Sequence, residues 1–263
     1  MSNLKRNMEY IYSNYNKYNL IHPDPLEFLY NYSDNRDIEI VGLIASSLAY
    51  GRVAQILKSI AKILSPMESS PYNYIIKYNF QKFSSDFKDF KHRFTTEKDI
   101  VNLILGIKNT LETFGSIKQC FTSCYSENDD TYTETLEKFT KIINKYYTNN
   151  NSYLLPSPKN GSACKRLMLF LRWMIRKDHV DIGCWDNLPM NKLIIPLDTH
   201  MFFISKNLNF TKRKAADLKT AIEITDQFKK LDKDDPVKYD FPLTRFGIRE
   251  DFEYHNLFTT LLS

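Results

Sequence analysis

The 263-residue sequence predicts an all-α fold on three observations. Apolar residues recur at three- and four-residue intervals through most of the chain, the spacing of one face of a helix. Asp, Ser, Thr, Pro and Gly stand where those segments begin and end. The alternation of a half-buried strand has no strength anywhere, and Gly-rich hairpin turns are missing. With 43% hydrophobic and 14% aromatic residues, the chain has material for one large domain or two lobes.

Leu4, Met8, Ile11, Tyr12 and Tyr15 place a helix over 3–18, broken by His22-Pro23-Asp24-Pro25. Asp24 as N-cap, Pro25 at the first helical position and Glu27 at the third start a second helix to about Tyr32. Ile38, Val41, Ile44, Ala45 and Leu48, then Gly51, then Val53, Ile56, Leu57, Ile60 and Ile63 describe a buried helical hairpin. Ala45, Ser46, Ser47 and Ala49 allow close approach within it, and Tyr50-Gly51-Arg52 is its exposed elbow. Shorter helices follow in the aromatic-rich 71–90 region. Thr95 or Thr96, with Asp99, caps a long amphipathic helix to Phe114 that Gly115 stops. Helices are expected over 117–125 and 131–147, and Thr148-Asn149-Asn150-Asn151-Ser152 reads as a linker or flexible loop. Another helix opens at about Lys165; Thr211 caps one over 212–230, and Asp235-Pro236 starts a last one through Phe246.

A net charge of +5 and a pI near 8.8 permit a polyanionic partner without requiring one. Cys120, Cys124, Cys164 and Cys184 are too sparse for a disulfide scaffold and fit reduced thiols in a cytoplasm. Ile117, Phe121 and Tyr125 flank the first two at apolar spacing, which favours core cysteines over a metal pair. The five histidines are scattered, so no metal centre and no cofactor is expected. The first 19 residues lack the apolar core of a secretory signal, and no run approaches the roughly 20 apolar residues of a membrane span.

Two residues stand in unusual places. Leu193-Ile194-Ile195-Pro196-Leu197 leads into Asp198-Thr199-His200 at a helix entrance, where an aspartate accepts backbone N–H groups and stays ionised. A plain N-cap and a mounted catalytic carboxylate are both open readings there. Upstream, Lys165 enters the first turn of a helix, against the dipole, either as an exposed cation or as a functional amine. The backbone amides of Gly161, Ser162, Ala163 and Cys164 at that entrance suit phosphate oxygens. Arg166, Arg172, Arg176 and Lys177 add positive charge to the same helix, with a solvated face as the competing reading.

Gly161-x-x-x-Lys165 opening a helix, followed by Ile195-Pro196-Leu197-Asp198-Thr199-His200 at the next helix entrance, resembles the helix-hairpin-helix DNA glycosylase superfamily of endonuclease III and the 8-oxoguanine glycosylases. Lys165 falls on the superfamily's lysine and Asp198 on its catalytic aspartate; the 38–64 hairpin resembles its early helices, with Tyr50 and Arg52 at the turn that reaches toward DNA. The hairpin departs from Leu-Pro-Gly-x-Gly, keeping only Gly161, with Ala163 for the second glycine. Lys165 precedes Asp198 by 33 residues (198 − 165), wider than in endonuclease III and nearer the divergent archaeal 8-oxoguanine glycosylases. No four-cysteine motif follows, so no iron–sulfur cluster is expected. With its IHPDPLEFLY (21–30), SSLAYGR (46–52), GSACKRL (161–167), LFLRWM (169–174) and IIPLDTHM (194–201) phrases, the chain is also similar over nearly its full length to an uncharacterised bacterial family that looks like a remote branch of this fold.

The resemblance implies two helical lobes, 37–178 forming the central one and 1–36 with 179–263 the other, with Lys165 and Asp198 in the cleft between them. It implies a DNA-repair glycosylase, with or without AP-lyase activity, that flips an oxidised purine such as 8-oxoguanine from damaged duplex DNA. Lys165 would attack C1′ as a neutral amine and Asp198 would assist; Lys165 as a phosphate contact, with Asp198 positioning water, is the other arrangement. Trp173, Trp185 and His200 are the candidate pocket residues, each with a core reading beside it. Two other classes remain: a non-catalytic nucleic-acid-binding protein on the same scaffold, and a helical interaction protein.

Overall fold

Helix-forming segments account for most of the computed structural model, which describes residues 3–150 and 152–262. In chain order they are α1 (Asn3–Tyr15), α2 (Asn35–Ser47), α3 (Val53–Leu64), α4 (Pro71–Lys77) and α5 (Phe80–Asp86), then two short antiparallel strands, β1 (Lys91–His92) and β2 (Thr95–Thr96). There follow α6 (Glu97–Phe114), α7 (Ile117–Cys124), α8 (Thr133–Ile143), α9 (Lys165–Ile175), α10 (Thr199–Asn207), α11 (Leu218–Lys229), α12 (Asp240–Ile248) and α13 (Tyr254–Leu262). The all-α expectation holds. The β1–β2 hairpin and α13 were not predicted; two-residue strands are too short to show alternation. Of the expected 148–152 linker, 148–150 form a 3₁₀ turn and Asn151 lies outside the described residues.

The boundaries depart from expectation at several helix starts. Pro25–Asn31 is 3₁₀, although Asp24 caps it by accepting from the Leu26 amide at 3.0 Å. Thr211 engages Glu223, and Asp217 takes the N-cap of α11 by accepting from the Thr220 amide at 2.9 Å. Asp235 pairs with Arg176 at 2.7 Å, and the last predicted helix begins later, at Asp240. Asp99 accepts from both the amide and the hydroxyl of Thr96 at 2.8 Å, as expected at the head of α6.

The helical hairpin packs differently from its sequence pattern. Helix α2 is buried from Asp37 to Ser47 and lies chiefly on α9 and the 25–31 turn, with α3 a lesser neighbour. A Cβ on Gly42 would come within 2.8 Å of Met174 Cε on α9, so the missing side chain sets that approach. Helix α6 runs through the middle region against α4, α5, α7 and α8, while α1 packs on α12 and α13 and joins the two ends of the chain. A Cβ on Gly106 would collide with the Ile143 carbonyl oxygen at the end of α8. Gly106→Ala is expected to destabilise the protein by about 1–3 kcal/mol, read from urea unfolding. Cys120, Cys124 and Cys164 are buried, as a core reading requires.

One buried carboxyl ties distant segments together. Glu39 on α2 accepts from the amides of Ile117 (2.8 Å) and Lys118 (3.2 Å) with one oxygen and from the Trp185 indole N–H (3.0 Å) with the other. Burial pushes it from its ordinary 4.5 up to about 7 against those three donors. The folded state therefore holds a proton that the unfolded state releases as pH rises from about 4.5 to 7. This group's contribution to stability falls with rising pH across that window. Glu39→Gln should flatten that slope in urea unfolding measured from pH 4.5 to 7.5. It should also cost about 1–3 kcal/mol, because an amide has one acceptor oxygen and sets its NH₂ against a donor.

Candidate active-site cleft

The turn between α2 and α3 is built to hold its shape. The ring of His92, buried on β1, lies 3.0 Å from the Tyr50 carbonyl through Nε2 and 2.9 Å from Ser59 Oγ through Nδ1. Burial lowers the His92 pKa and keeps it neutral, which suits an Nε2–H donating to the carbonyl and an Nδ1 accepting from the hydroxyl. The Tyr50 hydroxyl in turn lies 2.9 Å from the His92 carbonyl and 2.6 Å from Thr95 Oγ1. Short strands with little stability of their own are thus clamped to the elbow.

That elbow forms one wall of a cleft of about 530 Å³. The starts of α9 and α10 and one face of α12 form the others. Lys165 is the first residue of α9 and Asp198 the N-cap of α10, and both line the cleft. Asp198 divides its oxygens: Oδ1 accepts from the Met201 amide at 2.8 Å, and Oδ2 lies 4.0 Å from Lys165 Nζ. The amine also donates to the Ala49 carbonyl at 3.2 Å. The side chains are 31% (Lys165) and 17% (Asp198) exposed, so solvent reaches both but neither stands free. His200 lines the same space, its Nδ1 2.7 Å from the Tyr254 hydroxyl on α13. Burial, with the negative charge of Asp198 added, pushes Tyr254 up to about 12.

Beside this pair lies a buried ionic network. Arg245 pairs with Asp24 at 2.7 Å and stacks on Phe241; Arg172 pairs with Asp240 and, at 3.1 Å, with Asp181. Arg176 meets Asp178, Asp181 and Asp235. Asp24, Arg172, Asp240 and Arg245 reach the cleft wall. Burial pushes Asp240 up to about 6; Arg172 opposes the rise and the charge of Asp198 adds to it. Asp178 goes the other way, held at about 2 because Arg176, two amides and the Tyr12 hydroxyl outweigh its burial.

Several expected site residues are therefore not where the sequence reading put them. Trp173 and Trp185 are 0% and 1% exposed and belong to the core, so neither is a pocket residue; Tyr50 and Phe202 are aromatic rings that line the cleft. Ala163 is buried, which removes it from a nucleic-acid surface. Gly161 and Ser162 are exposed but pair with the Asp217–Leu218 backbone, so their turn is not a free phosphate grip. Arg172 and Arg176 are not surface cations: the same helix spacing that suggested a basic face points them inward at aspartates. Arg52 is exposed beside the cleft, next to Gly51 and Val53 in its wall. Arg166 donates to the Ser47 and Tyr153 carbonyls and lies between the Tyr50 and Tyr153 rings.

Asp24, Asp240, Thr244 and Arg245 were not read as cleft residues. Asp24 carried a capping signal, but its pairing with Arg245 across 221 residues has no local signature. Among the described residues, no group of three or more His, Cys, Asp or Glu side chains is arranged to hold a metal ion. No helix among them is long and apolar enough to cross a membrane.

Comparison with curated proteins and with solved structures returns no match. A family model described as "Protein of unknown function (DUF2400)" matches residues 24–249. That span holds the whole ionic network and both facing residues of the cleft, and on it the chain belongs to the DUF2400 family.

Proposed function

We propose that this protein is a DNA-repair glycosylase on a two-lobed helix-hairpin-helix-like scaffold, removing an oxidised purine such as 8-oxoguanine with an associated AP-lyase step. The observation that carries the reading is the facing of Lys165 and Asp198 across 4.0 Å in one cleft. Its volume of about 530 Å³ falls within the roughly 300–1,000 Å³ typical of small-molecule sites, which suits a base turned out of the stack.

In this mechanism the Lys165 nitrogen attacks C1′ through its lone pair, forming the N–C1′ bond as the glycosidic bond to the base breaks. Asp198 draws one proton from the nitrogen as the N–C1′ bond forms and passes it to the departing base, and the nitrogen's second proton goes to O4′ in the ring opening that follows. The C1′–O4′ bond then opens to an imine, O4′ leaving as a hydroxyl. Loss of a C2′ proton expels the 3′ phosphate and cuts the strand. While positive charge grows at C1′, the Asp198 oxygen that does not cap α10 offsets it.

Incubation with duplexes carrying a panel of lesions, followed by borohydride, is expected to give a covalent protein–DNA adduct with the wild type and none with Lys165→Ala. Absence of excision and of any adduct across the panel would overturn the proposal. DNA binding that survives in both Lys165→Ala and Asp198→Asn, without excision by the wild type, would instead support a non-catalytic binder.

A further inference from the structure

We propose that Phe94 and Tyr153 form a stacking platform for an unpaired nucleobase at the mouth of the cleft, giving the protein a preference for single-stranded DNA over continuous duplex; the proposal rests on the nucleic-acid reading above. Phe94 sits in the two-residue turn Arg93-Phe94 between β1 and β2, with 73% of its surface exposed. Arg93 adopts a left-handed backbone (φ 52), which tightens that turn. His92 and Thr95 on either side are buried and bonded to Tyr50, so the exposed ring is held on an anchored tip. Tyr153, 57% exposed, comes from a distant part of the chain and meets Phe94 edge-to-face at 6.3 Å. It also meets Tyr50, a wall of the cleft, at 5.6 Å. The three rings step from the cleft wall to open solvent.

Cations interleave with these rings. The Arg166 guanidinium lies 5.0 Å from the Tyr50 ring centre and 4.7 Å from that of Tyr153. Arg93 lies 5.7 Å from the centre of Phe94. Neither arginine is paired with a carboxylate among the described residues. Exposed rings hold bases of any sequence by their faces, and unneutralised guanidinium groups suit the phosphates between them. Within a continuous duplex the neighbours in the stack cover both faces of a base, so the arrangement fits an unpaired, unstacked one.

Fluorescence anisotropy with a labelled 15-nucleotide thymidylate strand and with its 15-base-pair duplex, at one fixed salt concentration, tests the proposal. The wild type should bind the single strand more tightly. Phe94→Ala and Tyr153→Ala should each weaken single-strand binding by about 5- to 100-fold, with duplex binding changed less than about 2-fold. Phe94→Trp should restore it. Equal losses on both probes, or none on the single strand, would overturn the platform while leaving the glycosylase reading to the borohydride experiment. If the wild type binds neither probe, the platform is overturned and so is the nucleic-acid reading beneath it.

Discussion

Asp198→Asn is expected to lower base excision by about 10²- to 10⁴-fold without loss of folded protein, measured as single-turnover release of the damaged base. The geometry separates the two effects. Oδ1 caps α10 through the Met201 amide, and asparagine is as good an N-cap as aspartate. Oδ2 faces Lys165 across 4.0 Å, and there the substitution removes the charge that draws the amine's proton and offsets positive charge at C1′. A circular dichroism melt like that of the wild type, with excision reduced, is the expected pair of results. A variant that excises at the wild-type rate would make Asp198 a cap alone. Lys165→Ala divides the remaining arrangements: excision that continues without a borohydride adduct would assign the lysine to phosphate contact and the displacement to water.

The second large effect falls on stability. Asp181→Ala should lower the free energy of unfolding by about 3–5 kcal/mol, read as an earlier urea midpoint with an unchanged slope. Asp181 is fully buried, accepts from Arg172 Nε at 3.1 Å and from Arg176 Nη1 at 2.7 Å, and has no solvent to replace it. Its removal leaves two buried guanidinium groups short of a partner. Arg172 also holds Asp240 at the cleft, so the same change should weaken the adduct yield at temperatures where the protein remains folded. A surface ion pair such as Lys141–Glu137, 3.2 Å apart with the lysine exposed and the glutamate half-buried, is expected to show less than about 1 kcal/mol when broken.

The legible parts of this protein are those whose physics is local. Apolar spacing, Asp24, Asp99 and Asp198 at helix starts, and Gly51 and Gly115 at turns act within a few residues, so helices could be placed and Asp198 located at the head of α10. The same locality explains the errors. Thr211 and Asp235 look like helix caps in isolation, but Thr211 accepts from the Arg213 amide in a non-helical turn while Asp217 caps α11, and Arg176 claims Asp235. Trp173 and Trp185 look like stacking rings, yet burial of their large apolar surfaces puts them in the core.

The sequence by itself determined an all-α chain with a carboxylate at one helix entrance and an amine at another. Only tertiary structure decided that they face each other, because the approach of Lys165 to Asp198 depends on α9 packing on α2 and α10 packing on α12. It likewise decided which arginines are cations toward solvent and which are buried, since a helix face is apolar or basic only relative to what lies against it. Arg172 and Arg176 meet aspartates from up to 68 residues away, and Arg166 is left between two tyrosine rings with its charge unanswered. Periodicity can say which residues share a face; it cannot say what that face will meet.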